Sequence, residues 1–288
     1  MRFVQFVEGT SKGLGIEQEG ILRGLNESEA GYPGALHDLL AAGEGALQAA
    51  HERLKDARLL DPSNIRYLPP LERPGKIVCV GLNYADHTRE SPYEQPSYPT
   101  FFPRFASSLV GHGEPIIRPR ISEQLDFEGE LAVVIGTGGR HITKDRALEH
   151  VAGYAIFNEA SIRDYQFKSP QWTIGKNFDA TGAFGPTFVS ADELPPGASG
   201  LNLVTRLNGA IVQQGNTADM VFSVVDLISI LSEAVTLEPG DVIITGTPAG
   251  IGWARRPPLF MKPGDLCTVE IEGLGTLSNL IADEQSPA

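Results

Sequence analysis

Asp126-Phe127-Glu128-Gly129-Glu130-Leu131-Ala132-Val133-Val134-Ile135 sets acidic side chains at every second position and then runs straight into an apolar, β-branched stretch. Side chains two apart on a strand share a face, so an uninterrupted strand here projects Asp126, Glu128 and Glu130 together, with Phe127 opposite. Like charges that close need a cation, a proton or solvent to compensate them. Hard divalent cations take oxygen ligands of this kind. A solvated edge strand is the ordinary fate of an isolated D-x-E-x-E. The core-like run that follows this one points instead to a metal site.

Working outward, strands dominate. Short apolar runs at 77–80, 151–157, 201–207, 211–213, 241–245 and 266–271 read as strands, the first of them leading into the Gly81 turn. Helical spacing appears at 35–58, broken near Gly43 and Gly45, at 144–150, and at 222–234. Phe3 to Val7 alternates like a strand, and Gly13 to Gly15 reads as a turn. Prolines at 62, 69, 70 and 74 punctuate a boundary near residue 70. The expectation is a small N-terminal α/β domain over 1–70 and a larger domain over 71–288. Strands do not alternate with long helices as in a doubly wound sheet. An α+β, β-rich fold with a β-roll or barrel-like core fits.

The chain carries 23 basic and 36 acidic side chains, so its formal charge is 23 − 36 = −13. That balance argues against nucleic acid and anionic membrane surfaces as partners. An anionic substrate would need positive charge supplied locally. Cys79 and Cys267 each sit in an apolar strand-like run. They read as buried packing residues in a reducing compartment, not a disulfide framework or zinc site. Met1 to Phe6 begins as a strand with no leader-like apolar run, and no membrane-spanning stretch follows. The expected location is cytoplasmic.

Four further segments carry chemistry. In Asn83-Tyr84-Ala85-Asp86-His87-Thr88-Arg89-Glu90, a helical turn puts His87 and Glu90 on one face. A carboxylate on one imidazole nitrogen raises the basicity of the other, which suits a general base. Glu159, in Asn158-Glu159-Ala160-Ser161-Ile162-Arg163-Asp164-Tyr165-Gln166, could bring a third carboxylate to a metal held by Glu128 and Glu130. Lys176 lies in a glycine-containing loop, where a lone Lys is ordinarily a solvated charge. Gly246-Thr247-Pro248-Ala249-Gly250-Ile251-Gly252 lacks the Gly-Lys-Ser/Thr ending of a nucleotide loop. Backbone amides or Thr247 offered to a small carboxylate suit it better.

Taken in order, Asn-Tyr-x-x-His-x-x-Glu, D-x-E-x-E-L-A-V-V-I, Asn-Glu…Arg-Asp-x-Gln, Gly-Lys-x-Phe-Asp and Thr-Gly-Thr-Pro-x-Gly-x-Gly resemble the fumarylacetoacetate hydrolase family over roughly residues 72 to 283. The resemblance implies a β-roll catalytic domain, a homodimer, and one divalent metal held by Glu128, Glu130 and Glu159. Mg²⁺ or Mn²⁺ is implied, with Ca²⁺ an ion that crystals could hold. It also implies His87, Glu90 and Lys176 as catalytic residues and Arg163, Gln166 and Thr247 as substrate-binding residues, around a small oxo-acid. Asp126 falls just before the ligands. Glu159 departs from the family's usual Asp at that place, adding one methylene of reach. The activity expected first is hydrolysis of a C–C bond in acylpyruvate-type 2,4-dioxo acids through a metal-stabilised pyruvate enolate, in aromatic or sugar-acid catabolism. The alternative is an isomerase or decarboxylase of 2-hydroxy-diene-dioates or oxaloacetate, in which protonation replaces water attack. A non-catalytic metal- and ligand-binding homologue is the third reading, motivated by Glu159.

Overall fold

The strand Gly129–Ile135 is buried along its whole length in the computed structural model, which describes residues 1–285. It lies inside an 11-stranded sheet, between Val151–Glu159 on one side and Val242–Ile244 on the other, both antiparallel to it. Leu131, Val133 and Ile135 turn to one face, into a core shared with Leu203, Val269, Ile271 and Leu277 of a second, five-stranded sheet. Ala132 and Val134 turn to the other face, against Ala155, Phe157 and helix residues Leu36, Leu40, Leu47 and Leu54. A strand covered on both faces has no polar side to show, which is why its sequence is continuously apolar.

The two helices Leu36–Ala42 and Glu44–Lys55 meet at Gly43, whose φ of 94° ends the first, as the broken helical spacing predicts. Gly13 and Gly15, expected in a turn, instead lie inside the strand Ser11–Gln18. A Cβ at Gly13 would sit 2.3 Å from the Phe6 ring, so glycine serves close packing there. The strand Arg2–Glu8 pairs with Gly182–Ser190 in the register Arg2↔Val189 and Phe3↔Phe188. Segment 1–70 therefore extends the main sheet, and its Phe3, Leu14 and Ile16 share a core with Ala155 and Phe157.

One expectation about the opening stretch is corrected. Pairing stops at Phe127–Glu128, and Leu125–Asp126 forms a separate ribbon with Ser161–Ile162. Asp126 thus leaves the row of alternating carboxylates, while Glu128 and Glu130 stay. The antiparallel register brings the start of Gly129–Ile135 to the end of Val151–Glu159, with Gly129 opposite Asn158. By alternation Glu130 shares the face of Ala132, and Glu159 that of Phe157. Those are the same side of the sheet. Cys79 and Cys267 are buried and unbridged. Among the described residues no helix is long and apolar enough to cross a membrane.

Candidate metal centre and active site

Glu128, Glu130 and Glu159 converge, each offering an oxygen within 4.8 Å of the others, and all three are buried. Local hydrogen bonds hold them there. The Glu128 amide donates to Asn158 Oδ1 at 3.1 Å, and the Glu159 amide donates to the Glu128 carbonyl at 2.8 Å. Asn158 therefore does work that the Asn-Glu dipeptide only hints at: it pins one acidic segment to the other. The Gly246 amide donates to Glu130. Lys176 Nζ donates to Glu128 at 2.8 Å and to Glu159 at 3.0 Å. It is only 2% exposed and lines the pocket, where the resemblance puts a catalytic lysine, unlike the solvated charge that an isolated loop lysine would be.

The three carboxylates titrate differently because their surroundings differ. Burial pushes Glu130 well above the usual carboxylate range, and neighbouring Glu159 and Glu128 push it further. Burial also works against Glu128, but Lys176 and Arg163 outweigh it and hold that group far below the usual range. Burial disfavours the Lys176 ammonium, yet Glu128 and Glu159 raise its pKa, so it stays charged. A lysine pinned as an ammonium cannot act as a base; it can donate to an oxyanion.

Arg163 is not a free substrate hook. Its Nε donates to Asp126 at 2.8 Å, and its Nη1 lies 2.7 Å from both Glu128 Oε1 and Gln166 Oε1. Among the described residues Nη2 is buried without a hydrogen-bond partner, which leaves its two hydrogens for a ligand. Asp126 accepts from Arg163 and from the amides of Phe127, Gly252 and Trp253 at 2.8–2.9 Å. It fixes the arginine and the glycine loop together.

That loop corrects a second expectation. Its amides serve the protein's own carboxylates: Gly246 binds Glu130, Gly250 and Ile251 bind Glu90, and Gly252 and Trp253 bind Asp126. Thr247 faces the pocket, but its hydroxyl already donates to the Gly129 carbonyl at 2.9 Å and accepts from Gln213 at 2.8 Å. Glu90 accepts from Gly250 at 2.9 Å and lies 2.9 Å from His87 Nδ1. The Glu90 carboxylate accepts the Nδ1–H hydrogen bond, which keeps that nitrogen protonated and leaves Nε2 as the basic one. His87 is buried, on the helix Ala85–Glu90, and lines the same pocket as the three glutamates.

Two residues escape the sequence reading. Arg104 is fully buried, tied by Nε to Ser108 at 3.0 Å and by Nη2 to Thr181 at 2.8 Å, with Nη1 3.6 Å from Glu159 Oε1. Its only signal is an arginine directly after the strand Thr100–Pro103. Gln213 bridges the Gly129 amide, Thr247 and the Pro248 carbonyl at 2.8–2.9 Å. Nothing in its local sequence marks it.

Asp126, Glu128, Glu130 and Glu159 face Arg104, Arg163 and Lys176, four formal negative charges against three positive. Among the described residues Glu159 Oε1 is buried with no hydrogen-bond partner. Orphaned buried oxygen, an all-carboxylate donor set and a residual negative charge fit a hard divalent cation. With one bound, the cluster turns net positive, the local charge that a chain of −13 needs for an anionic substrate.

The profile of fumarylacetoacetate (FAA) hydrolase, C-terminal, matches residues 76–282. The chain belongs to the fumarylacetoacetate hydrolase family. It is 42% identical over 286 residues to the mitochondrial oxaloacetate tautomerase fahd2 of Xenopus laevis, covering 97% of this chain and 89% of that protein. The solved fumarylacetoacetate hydrolase of psychrophilic Exiguobacterium antarcticum superposes with a TM-score of 0.86 at 36% identity, covering 99% of this chain and 100% of that one. The maleylpyruvate hydrolase of Sphingobium sp. SYK-6, solved with manganese(II) and pyruvate, gives 0.80 at 25% identity over 99% and 100%. This family of enzymes has a sheet-rich fold, as the resemblance implies. The cytoplasmic assignment is overturned by relatives named as mitochondrial. Reduced, buried cysteines are compatible with either compartment, so they never separated the two.

Proposed function

We propose that this chain catalyses a tautomerisation: proton transfer at the carbon beside the keto group of a compact 2-oxo diacid of the oxaloacetate class. The observation that carries the reading is the His87–Glu90 pair lining one pocket with Glu128, Glu130 and Glu159. Enolisation needs a positioned base and stabilisation of charge on the keto oxygen, and this pocket holds groups suited to both. The oxaloacetate tautomerase relatives support proton transfer over the C–C hydrolysis expected first.

Glu128, Glu130 and Glu159 would hold Mg²⁺ or Mn²⁺, which supplies Lewis acidity and a template for a 2-oxo carboxylate. Toward the enol, His87 Nε2 takes the proton from C3 of the keto acid and the keto oxygen takes one from solvent; toward the keto form that oxygen releases its proton and His87 Nε2 returns one to C3. Glu90 keeps the opposite nitrogen protonated and, through the Gly250 amide, ties the His87 helix to the glycine loop. Lys176 donates to oxyanion charge, and the Arg163 Nη2 hydrogens orient a carboxylate. Gln166 and Thr247 fix the arginine and the floor of the pocket. The assembly we propose is a homodimer binding small oxo-acids.

Following decay of enol-oxaloacetate by absorbance with Mg²⁺ or Mn²⁺, alongside product analysis on acetylpyruvate and fumarylpyruvate, tests the reading. Accelerated enol–keto exchange without C–C cleavage is expected. Cleavage of acylpyruvates with no effect on exchange would return the assignment to hydrolysis, and release of carbon dioxide as the dominant product would make it a decarboxylase.

A further inference from the structure

The same pocket has an apolar wall that the proton transfer does not use: Gly81, Leu82, Tyr93, Phe102 and Trp172 line it, with the Phe102 ring centroid 5.4 Å from Lys176 Nζ. Trp172 is the centre of that wall, with its ring centroid 5.5 Å from those of both Tyr93 and Phe102. Its indole N–H donates to the Tyr93 hydroxyl at 3.3 Å. That bond joins two separate loops flanking the pocket, one after the His87 helix and one before Lys176.

The position of Trp172 is held from below as well. A Cβ at Gly81 would come within 2.2 Å of Cζ3 and 2.8 Å of Cη2 of the indole. Real side chains never approach so closely, so the ring occupies space that exists only because residue 81 is glycine. The Trp172 carbonyl accepts the Lys176 amide at 3.2 Å, so the indole and the Lys176 cation, both lining the pocket, ride on one turn. Gly175, in that turn, lies against the Gln166 backbone, where a Cβ would be 2.4 Å from the amide nitrogen.

We propose that Trp172 is a specificity-determining residue: held between Gly81 and Tyr93, its ring closes the tail end of the pocket and restricts the substrate to compact 2-oxo diacids. This rests on the tautomerase reading for the polar end of the ligand, but the size limit is a property of the wall alone. An apolar wall discriminates by volume, at about 10-fold or more per methylene group that finds no room. A large rigid ring does this well, since it cannot fold aside as a flexible chain does. The substrates excluded are acyl-extended 2-oxo acids with bulky tails.

The test compares native protein with Trp172→Leu and Trp172→Phe, each loaded with Mn²⁺. Calorimetry measures binding of oxaloacetate and of 2-oxo acids whose tails lengthen by one to three methylene groups, and deuterium exchange at C3 is followed by NMR. The expected result is that the affinity ratio of longest to shortest acid rises at least fivefold in Trp172→Leu, with Trp172→Phe between it and native. A rise of less than fivefold in Trp172→Leu overturns the proposal. Leucine keeps the site apolar, and phenylalanine keeps an aromatic wall, so a folded comparison is available even where one variant is unstable. Absence of C3 exchange in the native protein would defeat the tautomerase reading while leaving the binding ratio to decide on Trp172.

Discussion

Glu128 and His87 are both buried in the same pocket, yet substitution at each should fail in a different way. Glu128→Gln removes a charge from the carboxylate cluster and leaves Lys176 and Arg163 under-compensated. We predict loss of Mn²⁺ binding by calorimetry together with loss of tautomerisation; retained metal affinity would remove Glu128 from the ligand set. His87→Ala breaks the bond to Glu90 and removes none of the three carboxylates. It should lower the exchange rate by about 10²- to 10⁴-fold, the usual contribution of a positioned base, with Mn²⁺ affinity unchanged. A variant that exchanges at the native rate would take the proton-transfer role away from His87. Both acidic segments and the histidine helix were legible in the sequence because an apolar run follows the first and the motifs occur together in one family's order. Arg104 was not, since its partners at 108, 159 and 181 lie up to 77 positions away.

Among the elements, Asp126 shows how a short ribbon controls a loop. It sits between Arg163 and the segment 252–253, accepting from each. Asp126→Ala takes an ion-pair partner from a buried guanidinium and leaves three amides without their acceptor. Breaking a buried pair by removing one member costs about 3–5 kcal/mol, which urea denaturation monitored by circular dichroism will read. A cost under about 1 kcal/mol, the size of an exposed pair, would show that the ribbon is dispensable. The alternation of 126, 128 and 130 was readable, but the interruption at Phe127 was not. Strand patterns assume pairing continues, and pairing is decided by the partner strand, which here turns away after Glu159.

At the scale of the whole molecule, the carboxylate cluster links metal, pH and stability. Glu130 binds its proton more tightly in the folded, metal-free protein than in the unfolded chain, because burial and neighbouring glutamates raise its pKa. Folded protein then holds more protons than unfolded, so metal-free stability falls as pH rises above the ordinary glutamate range. Glu128, whose pKa is lowered, works the other way: its contribution is present above the ordinary range and lost as pH falls below it. A bound divalent cation removes the Glu130 penalty and adds stabilisation by mass action, about 2.7 kcal/mol at 100 times Kd. Thermal melts at pH 5 and pH 8 should show a larger metal-induced rise in Tm at pH 8, and an equal rise at both would count against Glu130 as a ligand. The sequence alone determined the strand-rich class, the family, the acidic segments and the His–Glu pair, because alternation, helical spacing and motif order are local properties of the chain. Which carboxylate leaves the cluster, where the glycine loop spends its amides, that Lys176 is buried, and which aromatic side chains line the pocket were decided only by the tertiary structure. Each depends on register and packing between segments tens of residues apart, and no local pattern encodes those distances.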